Sequence, residues 1–388
     1  MSRHPLVNVD DYQAESRRIL PRVLYDFVNG AALDGQTRQR NTDGFSSWWL
    51  CGRSFRSAPE IDLSLELFGT KLGAPILIAP TGASGLLWPR GEAEVARAAS
   101  SRGIIMQVSA GSILSMEEIA AAAPGPKWLQ LFLYKDRGLT TEFLQRAKAA
   151  GYQAVCVTTD APVHGRREQD IRNGFTIDQR LSLGTLLDAA IHFRWWLRMI
   201  GQPRFSMQNF AGRAKGNMTD MAAYIAAVLD PGVTWDDFSW LRAQWDGPLV
   251  VKGILHPADA REALERGADA IQVSNHGGRQ LDGTLSSIDA LPAIADAVGG
   301  RAPILLDGGV RRGTDVLKAL ALGATACAIG RAHLWGLAVA GEKGVAAIID
   351  ILTSEMRNAM TIGGWTSIGQ LDRSAVTRIP AHQTGEEI

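Results

Sequence analysis

The sequence predicts a single (β/α)8 barrel, and two observations lead to this fold class. Short apolar runs rich in β-branched residues recur eight times, and an amphipathic, alanine-rich segment follows each of them. Runs that are apolar throughout belong to strands buried on both faces, and eight of them with crossover helices are typical of a closed parallel barrel. The predicted strands are Pro75–Ala79, Ile104–Ser109, Trp128–Leu133, Ala154–Thr159, Leu249–Lys252, Ala270–Ser274, Ile304–Asp307 and Ala326–Gly330.

Three parts of the chain fall outside these units. Residues 1–70 are predicted to form a helical extension that covers the barrel, and the tail after Thr377 is predicted to be a loose strap. About 90 residues separate the fourth and fifth strands, and such long connections are commonly lids or binding segments. We therefore predict one domain, 1–388, with an insertion at 181–232.

The composition excludes several classes of protein. The 388 residues are 46% hydrophobic and 21% charged, which is typical of a globular enzyme, and 40 basic side chains balance 40 acidic ones. Because the net charge is zero, no global field favours nucleic acid, and we expect no nucleic-acid partner. Cys51, Cys156 and Cys327 lack metal-ligand spacing, so we expect them to be reduced and structural, and we expect no metal site.

The stretch with the most chemistry is Ser274–Gln280, SNHGGRQ, which follows the sixth predicted strand. It places an imidazole, His276, three residues before a guanidinium, Arg279, with two glycines between them that are expected to let a flat ligand approach the backbone. A general base must reach the proton that it removes, and a guanidinium binds a planar carboxylate through two hydrogen bonds. The pattern indicates oxidation of a hydroxy acid, although an isolated His-x-x-Arg is more often a turn histidine with a surface arginine.

A phosphate site is predicted after the last two strands. Asp307–Gly313, DGGVRRG, follows the seventh strand, and Ile329–Arg331, IGR, follows the eighth. In barrels these adjacent loops often bind a phosphate through backbone amides, a helix N-terminus and an added cation. The pattern favours a mononucleotide, since no G-x-G-x-x-G turn opens a strand–helix unit as a dinucleotide site requires.

These motifs resemble those of the FMN-dependent α-hydroxy acid dehydrogenases and oxidases. The likeness extends over most of the chain, from Leu20–Asp26, LPRVLYD, through Thr158–Asp160 and Val251–Gly253 to the DGGVRRG motif. It implies a (β/α)8 barrel, FMN as the cofactor and oxidation of an (S)-2-hydroxy acid to the 2-oxo acid.

The substrate site combines the motifs with this resemblance. His276 is predicted to be the general base, and Asp160 is predicted to orient it and to raise its pKa. Arg279 and Arg167 are predicted to hold the substrate carboxylate, although by spacing alone Arg167 could be a surface ion-pair residue. By resemblance, Tyr25 hydrogen-bonds the same carboxylate.

Two positions near the predicted site bear on the substrate and the acceptor. Phe132 stands where most relatives carry a tyrosine that contacts the substrate, which removes a hydrogen bond of about 0.5–1.5 kcal/mol and favours a substrate with an apolar group. Gly82 replaces the alanine common in the oxidases, which hints at an acceptor other than oxygen.

The resemblance also implies the cofactor contacts. Lys252 is costly to bury unless it meets a negative charge, and by resemblance it lies beside the pyrimidine edge of the flavin and stabilises the reduced form; a salt bridge to a neighbouring carboxylate is the alternative. Asp307 is expected to hold the ribityl chain. The other implied cofactor residues are Ala79, Thr81, Ser109, Gln130 and Thr158 at the ring, Ser274 and Gly309 nearby, and Arg311, Gly330 and Arg331 at the phosphate.

The insertion combines basic and apolar residues, which is typical of an interfacial helix at an anionic membrane surface. Membrane-associated relatives carry their membrane segment in this connection; an ordinary lid or an oligomer contact is the alternative. The start of the chain lacks an apolar signal core, and no run approaches the roughly 18 apolar residues of a spanning helix. We therefore expect a cytoplasmic protein attached peripherally to the inner face of the cell membrane. The basic residues are Arg194, Arg198, Arg204, Arg213 and Lys215, and the apolar residues that share a helical face are Phe193, Trp196, Leu197 and Ile200.

Together these features predict an FMN-dependent dehydrogenase for an (S)-mandelate-like substrate, with a membrane quinone as the electron acceptor. The alternatives are an L-lactate dehydrogenase, a 2-hydroxy acid oxidase that produces hydrogen peroxide, and a flavin-binding or membrane-docking scaffold without turnover. By resemblance, the protein is expected to be a homo-oligomer, a tetramer.

Overall fold

The computed structural model describes residues 5–173, 188, 190–202, 205–213 and 218–379. The strands β4 to β11 are parallel and close into a barrel, in which each pairs with the next and β11 pairs with β4. The predicted (β/α)8 fold is confirmed. The strands are β1 Trp48–Leu50, β2 Leu65–Leu67, β3 Thr70–Leu72, β4 Ile76–Ile78, β5 Met106–Ser109, β6 Lys127–Leu131, β7 Ala154–Thr158, β8 Leu249–Ile254, β9 Ala270–Val273, β10 Ile304–Asp307, β11 Ala326–Ile329 and β12 Val376–Arg378.

The barrel strands are apolar throughout because both of their faces are covered. Every residue of β4, β5, β6, β7, β9, β10 and β11 is buried, between the barrel interior on one side and helices on the other. The helices are α1 Val9–Ile19, α2 Arg22–Asn29, α3 Gln36–Ser46, α4 Gly91–Ser101, α5 Met116–Ala122, α6 Arg137–Ala149, α7 Glu168–Arg172, α8 Phe193–Met199, α9 Met218–Val228, α10 Trp235–Gln244, α11 Pro257–Glu265, α12 Ser287–Val298, α13 Gly313–Ala321 and α14 Arg331–Gly363.

The amino end of the barrel is closed by the hairpin of β2 and β3, which precedes the first barrel strand. Leu67 and Leu72 of this hairpin are buried in one cluster with apolar side chains from the barrel strands, and the ring of Phe68 lies 5.7 Å from that of Trp128. The buried side chains of this plug are apolar, so they stabilise the fold by burial without adding a buried polar group that needs a partner.

The N-terminal extension packs across the opposite end. The carboxamides of Asn41, in α3, and Asn275, after β9, exchange two hydrogen bonds of 2.7 and 2.8 Å.

The start of the C-terminal tail is ordered, whereas the sequence predicts a loose strap after Thr377. β12 pairs antiparallel with β1, and Thr377 lies opposite Trp49, so the backbone there is held in a sheet. Residues 380–388 lie outside the described residues.

The long connection between β7 and β8 contains α7, α8, α9 and α10, and 174–187 lie outside the described residues. α8 packs on the barrel through one face only: Trp195 and Met199 are buried, and the indole Nε1 of Trp195 donates to the carbonyl oxygen of Leu86 at 3.0 Å. The predicted apolar face lies on the other side and is exposed, at 61% for Phe193 and 80% for Ile200.

Candidate active site

A deep pocket opens at the carboxyl ends of the barrel strands. It encloses about 840 Å³ of space free of protein atoms, counting the part open to solvent. Of the predicted site residues, Ala79, Thr81, Lys252, His276, Arg279, Asp307, Gly309, Arg311, Gly330 and Arg331 line this pocket.

His276 and Asp160 form the hydrogen-bonded pair that the sequence predicted. The imidazole Nδ1 lies 3.1 Å from Asp160 Oδ1. Because an ionised carboxylate only accepts, Nδ1 carries the proton and Nε2 is free to accept one. His276 has a left-handed φ of 56°, and its backbone N–H donates to Ser274 Oγ at 3.1 Å, which fixes the side chain at the pocket wall.

The pKa of His276 reflects opposing effects of burial and of Asp160. Burial lowers it, and the Asp160 carboxylate opposes this effect without reversing it, while the Lys252 ammonium lowers it further. Asp160 thus raises the pKa of His276 as predicted, but burial outweighs it and the net pKa is lowered. The result is an imidazole that is neutral at neutral pH, which is the form that a general base requires.

A glycine and a β-bulge bring Asp160 to this position. β8 shifts register between Lys252 and Ile254, and Gly253 at the bulge has a φ of 107°. A Cβ on Gly253 would lie 2.8 Å from the backbone nitrogen of Asp160, so only glycine admits the loop after β7. The pKa of Asp160 is lowered: burial raises it, but the interactions with His276, which include a hydrogen bond, and with the Lys252 ammonium outweigh burial.

Arg279 and Arg167 are near one another, and only Arg279 lines the pocket. Arg279 Nη1 donates to the carbonyl oxygen of Phe27 at 2.7 Å, and its guanidinium stacks 5.3 Å from the Phe27 ring. Arg167 Nη2 lies 3.4 Å from Gln280 Oε1. Burial and the charge of Arg167 lower the pKa of Arg279, so a carboxylate placed beside this pair would be held strongly.

Two further guanidiniums converge at the end of the pocket after β10 and β11. Arg331 donates to the carbonyl oxygens of Val28 and Gly30, and the Arg311 guanidinium lies 4.7 Å from the ring of Trp335. Burial lowers the pKa of Arg331 to about 9, with neighbouring arginines as a further cause, and burial lowers that of Arg311 to about 10. This end of the pocket is suited to an anion such as a phosphate.

Lys252 and Asp307 lie on the pocket floor as an ion pair, the alternative that the sequence left open for Lys252. Lys252 Nζ is 3.5 Å from Asp307 Oδ2 and donates to Ser274 Oγ at 2.9 Å. Ser274 Oγ in turn donates to Asp307 Oδ1 at 2.7 Å. Burial lowers the pKa of Lys252, but the carboxylates of Asp307 and Asp160 raise it overall, so the ammonium stays charged.

The residues predicted at the flavin ring follow the rim of the barrel. Ser109 is in register with Gln130, the Gln130 amide donates to Thr158 Oγ at 3.0 Å, and Thr158 is in register with Lys252. These three polar residues are next to the pocket without being part of its lining. Thr81 lines it directly.

Two residues predicted to contact the substrate, Tyr25 and Phe132, are not among the residues that line the pocket. The Tyr25 hydroxyl accepts from Gln13 Nε2 at 3.2 Å, and Phe27, two residues later on α2, lines the pocket. Phe132 is partly buried 6.4 Å from the ring of Tyr134 and does not line the pocket. Tyr25 and Phe27 point in different directions from the helix, and the contact between Tyr25 and the substrate carboxylate stays a prediction.

The glycine pair between His276 and Arg279 also makes room for other parts of the protein. A Cβ on Gly277 would lie 2.9 Å from Arg331 Nη1, and one on Gly278 would lie 2.5 Å from the backbone nitrogen of Arg38. Both glycines have positive φ. The space at Gly278 therefore admits the start of α3, whereas Gly277 lines the pocket.

Comparisons with known proteins identify the family. Residues 16–378 match the family model described as FMN-dependent dehydrogenase. The chain belongs to the FMN-dependent dehydrogenase family. It is therefore an FMN-dependent oxidoreductase, and both the resemblance and the predicted cofactor are confirmed.

Individual members of this family align with almost the whole chain. An L-lactate dehydrogenase of Xanthomonas euvesicatoria pv. vesicatoria (strain 85-10) is 43% identical over 95% of this chain and 96% of its own, and one of Ectopseudomonas mendocina (strain ymp) is 44% identical over 93% and 96%. The crystal structure of the monotopic membrane protein (S)-mandelate dehydrogenase, 35% identical, superposes with a TM-score of 0.92 over 97% of this chain and 100% of that chain.

The pocket residues fit FMN. The guanidiniums of Arg311 and Arg331 would hold the phosphate, while Lys252 and Asp307 offer a charge and polar groups at the other end of the pocket. When bound, FMN supplies a two-electron acceptor. In the part of the chain that is described, no group of three or more His, Cys, Asp or Glu side chains could hold a metal ion.

Proposed function

We propose that this dehydrogenase oxidises an (S)-2-hydroxy acid to the 2-oxo acid, with electrons passing through FMN to a quinone. The observation that carries the proposal is the neutral His276, with its free Nε2, on the same pocket wall as the Arg279 guanidinium. One group can take a proton from a substrate whose carboxylate the other binds.

Each residue has a separate role in this proposal. Arg279 and Arg167 bind the substrate carboxylate, and His276 accepts one proton from the substrate. Asp160 holds the imidazole in the correct tautomer and stabilises the imidazolium that forms. Lys252 favours negative charge on the cofactor, and its pair with Asp307 keeps it protonated.

The substrate is proposed to carry an aromatic or other apolar side chain, as (S)-mandelate does. Phe27 offers a ring with no hydroxyl on the pocket wall, and the superposed structure is an (S)-mandelate dehydrogenase. L-Lactate is the second candidate, because curated relatives more than 40% identical are named L-lactate dehydrogenases.

An anaerobic flavin-reduction screen tests this function. The purified flavoprotein is mixed with (S)-lactate, (S)-mandelate, glycolate and longer 2-hydroxy acids, and the absorbance of oxidised FMN is followed. We expect bleaching by (S)-acids and fastest bleaching by (S)-mandelate, with (R)-mandelate as the matched control. Bleaching by none of these acids would reject the proposal, and stoichiometric hydrogen peroxide in air would identify an oxidase.

We further propose that α8 attaches the enzyme to a membrane. Phe193, Trp196, Leu197 and Ile200 present a continuous apolar face on one side of α8, each at least 48% exposed. An amphipathic helix with such a face can lie in the headgroup region of a bilayer. The described residues contain no helix that is both long and apolar enough to cross a membrane.

The charge of this surface is smaller than the composition suggested. Arg198 Nη1 donates to the carbonyl oxygen of Ala338 at 3.1 Å and its guanidinium stacks 4.7 Å from the Trp88 ring, so it faces the protein. Arg213 pairs with Glu142. Arg194 is exposed, and Arg204 and Lys215 lie outside the described residues. Apolar insertion is thus proposed to contribute more than attraction to anionic lipid.

A vesicle sedimentation assay separates these contributions. The full-length flavoprotein is expected to sediment with both anionic and zwitterionic vesicles, and Phe193→Ser together with Leu197→Ser is expected to abolish this while FMN content is retained. Leu281→Ser, at another exposed leucine, is the control and should sediment like the unmodified protein. A protein that stays in the supernatant with both lipids would reject attachment.

We also propose that the protein forms a homo-oligomer, a tetramer. Light scattering in detergent measures its oligomeric state.

A further inference from the structure

A row of three hydrogen-bonded, buried polar side chains crosses the barrel beneath the pocket: Gln107, Gln272 and Asp307. Gln107 Nε2, on β5, donates to Gln272 Oε1, on β9, at 2.7 Å, and Gln272 Nε2 donates to Asp307 Oδ2 at 2.7 Å. β5 and β9 are four strands apart in an eight-stranded barrel, so the two glutamines bridge opposite walls. Both are at most 1% exposed. Burying polar groups in an otherwise apolar interior costs free energy unless each group is paired. The presence of this row inside the barrel therefore needs an explanation.

The two short hydrogen bonds of this row run toward Asp307, while a longer one, of 3.4 Å, runs back from Gln272 Nε2 to Gln107 Oε1. An ionised carboxylate only accepts, so the amide nitrogen of Gln272 must face it, and the oxygen of Gln272 is left to accept from Gln107. Asp307 Oδ1 receives its own donor from Ser274 at 2.7 Å. Each carboxylate oxygen thus has a neutral donor at close range, which fixes the orientation of the carboxylate.

This orientation limits how closely Asp307 approaches Lys252. The ammonium is 3.5 Å from Asp307 Oδ2, beyond the 2.7–2.9 Å typical of a charge-assisted hydrogen bond, while Gln272 donates to that oxygen at 2.7 Å. A carboxylate whose charge is shared with an amide neutralises a nearby cation less completely. Lys252 therefore keeps more of its positive charge for the pocket that it lines.

We propose that Gln272, itself held by Gln107, is a positioning residue that keeps the Asp307 carboxylate from closing on Lys252 and thereby raises the reduction potential of the bound FMN. The inference rests on the proposed placement of FMN beside Lys252. Two-electron reduction adds negative charge to the flavin, and a preorganised cation nearby stabilises that charge.

The test is the midpoint potential of the holoenzyme, set by a chemical reductant and read from the flavin spectrum. Gln107→Leu combined with Gln272→Leu replaces both partners of the glutamine–glutamine hydrogen bond by apolar side chains, a change that buried sites often tolerate. Asp307 then turns to Lys252, and we expect the equilibrium constant for two-electron reduction to fall at least tenfold, or about 30 mV. Full FMN content with an unchanged potential would overturn the proposal.

Further variants keep the result decisive. Gln272→Met alone should lower the potential in the same direction, and Gln202→Met is the matched control, since Gln202 is a buried glutamine that accepts from the backbone N–H of Arg90 outside the barrel. If the double variant loses FMN, the midpoint potential of Gln107→Leu is measured instead. A fall smaller than that expected for the double variant supports the proposal, and an unchanged potential rejects it. Because a chemical reductant sets the potential, the result is independent of whether any 2-hydroxy acid is a substrate.

Discussion

The two ends of the barrel share eight strands but are built from opposite kinds of side chain. At the amino end, Leu67 and Leu72 of the plug pack against apolar strand residues, and the Phe68 ring lies tilted against that of Trp128. At the carboxyl end, the strand termini carry imidazole, ammonium, carboxylate and guanidinium groups, several of them buried. Apolar burial stabilises the fold at one end, while at the other charges are held at close range in a partly desolvated site.

The comparison shows that stability and chemistry are separated in space. A buried charge contributes little to stability even when it is paired, because desolvation offsets the attraction between the partners. The same desolvation shifts the pKa of His276 and Arg331, which gives them properties that exposed residues lack. Substitutions at the two ends should therefore change different measurements.

The largest effect on turnover is expected at the carboxyl end. His276→Ala should leave FMN binding intact and slow flavin reduction by the substrate at least ~100-fold, the low end of what general-base catalysis supplies. Stopped-flow absorbance under anaerobic conditions measures this rate, and thermal unfolding of the same variant should change little. A variant that turns over at a nearly normal rate would show that another group removes the proton.

A substitution at the amino end should lower stability and leave turnover nearly unchanged. Leu67→Ala removes a side chain that is 2% exposed and should lower the free energy of unfolding by about 2–5 kcal/mol, because it leaves a cavity in the plug. The turnover number at 25 °C should stay within about twofold. Denaturant unfolding and steady-state kinetics of one preparation test both statements, and Val7→Ala, at an exposed position, is the control for stability.

A smaller and more specific effect is expected from Asp160→Asn. Because the Asp160 carboxylate opposes the lowering of the His276 pKa, its removal should lower that pKa further, and the acid limb of the kcat/KM profile should move to lower pH. The plateau should also fall about 10- to 150-fold, since the imidazolium loses a charge-assisted hydrogen bond of about 1.5–3 kcal/mol. An acid limb that moves to higher pH would contradict this account of the pair.

Much of the carboxyl end could be predicted because it depends on strand order. Strands that read as apolar runs end at one rim of a parallel barrel, so residues that follow them must meet there. This is why His276, Asp160 and Lys252 could be grouped although they are far apart in the chain.

Residues on packed helices were harder to place. Tyr25 and Phe27 are both aromatic and two positions apart on α2, and only the docking of that helix on the barrel decides which of them reaches the pocket. Arg198 is one of several basic residues in its segment, and only the position of Trp88 shows that it faces the protein. Local pattern carries no information on either contact.

The glutamines of the barrel interior were missed, although a signal was present. Gln107 and Gln272 each interrupt an apolar run that otherwise predicts a buried strand, and a polar residue at such a position needs a partner. Their pairing spans 165 residues and joins opposite walls, so no local rule could have matched them.

The amino-acid sequence alone determined the closed barrel, the family, the FMN cofactor and the residues at the strand ends, because strand periodicity and short motifs are local properties of the chain. Only the tertiary structure decided which aromatic side chain lines the pocket, that burial outweighs Asp160 in its effect on the pKa of His276, and that two distant glutamines orient Asp307. Each of these depends on distances between segments that are remote in the chain, and those distances exist only after the helices and strands have packed.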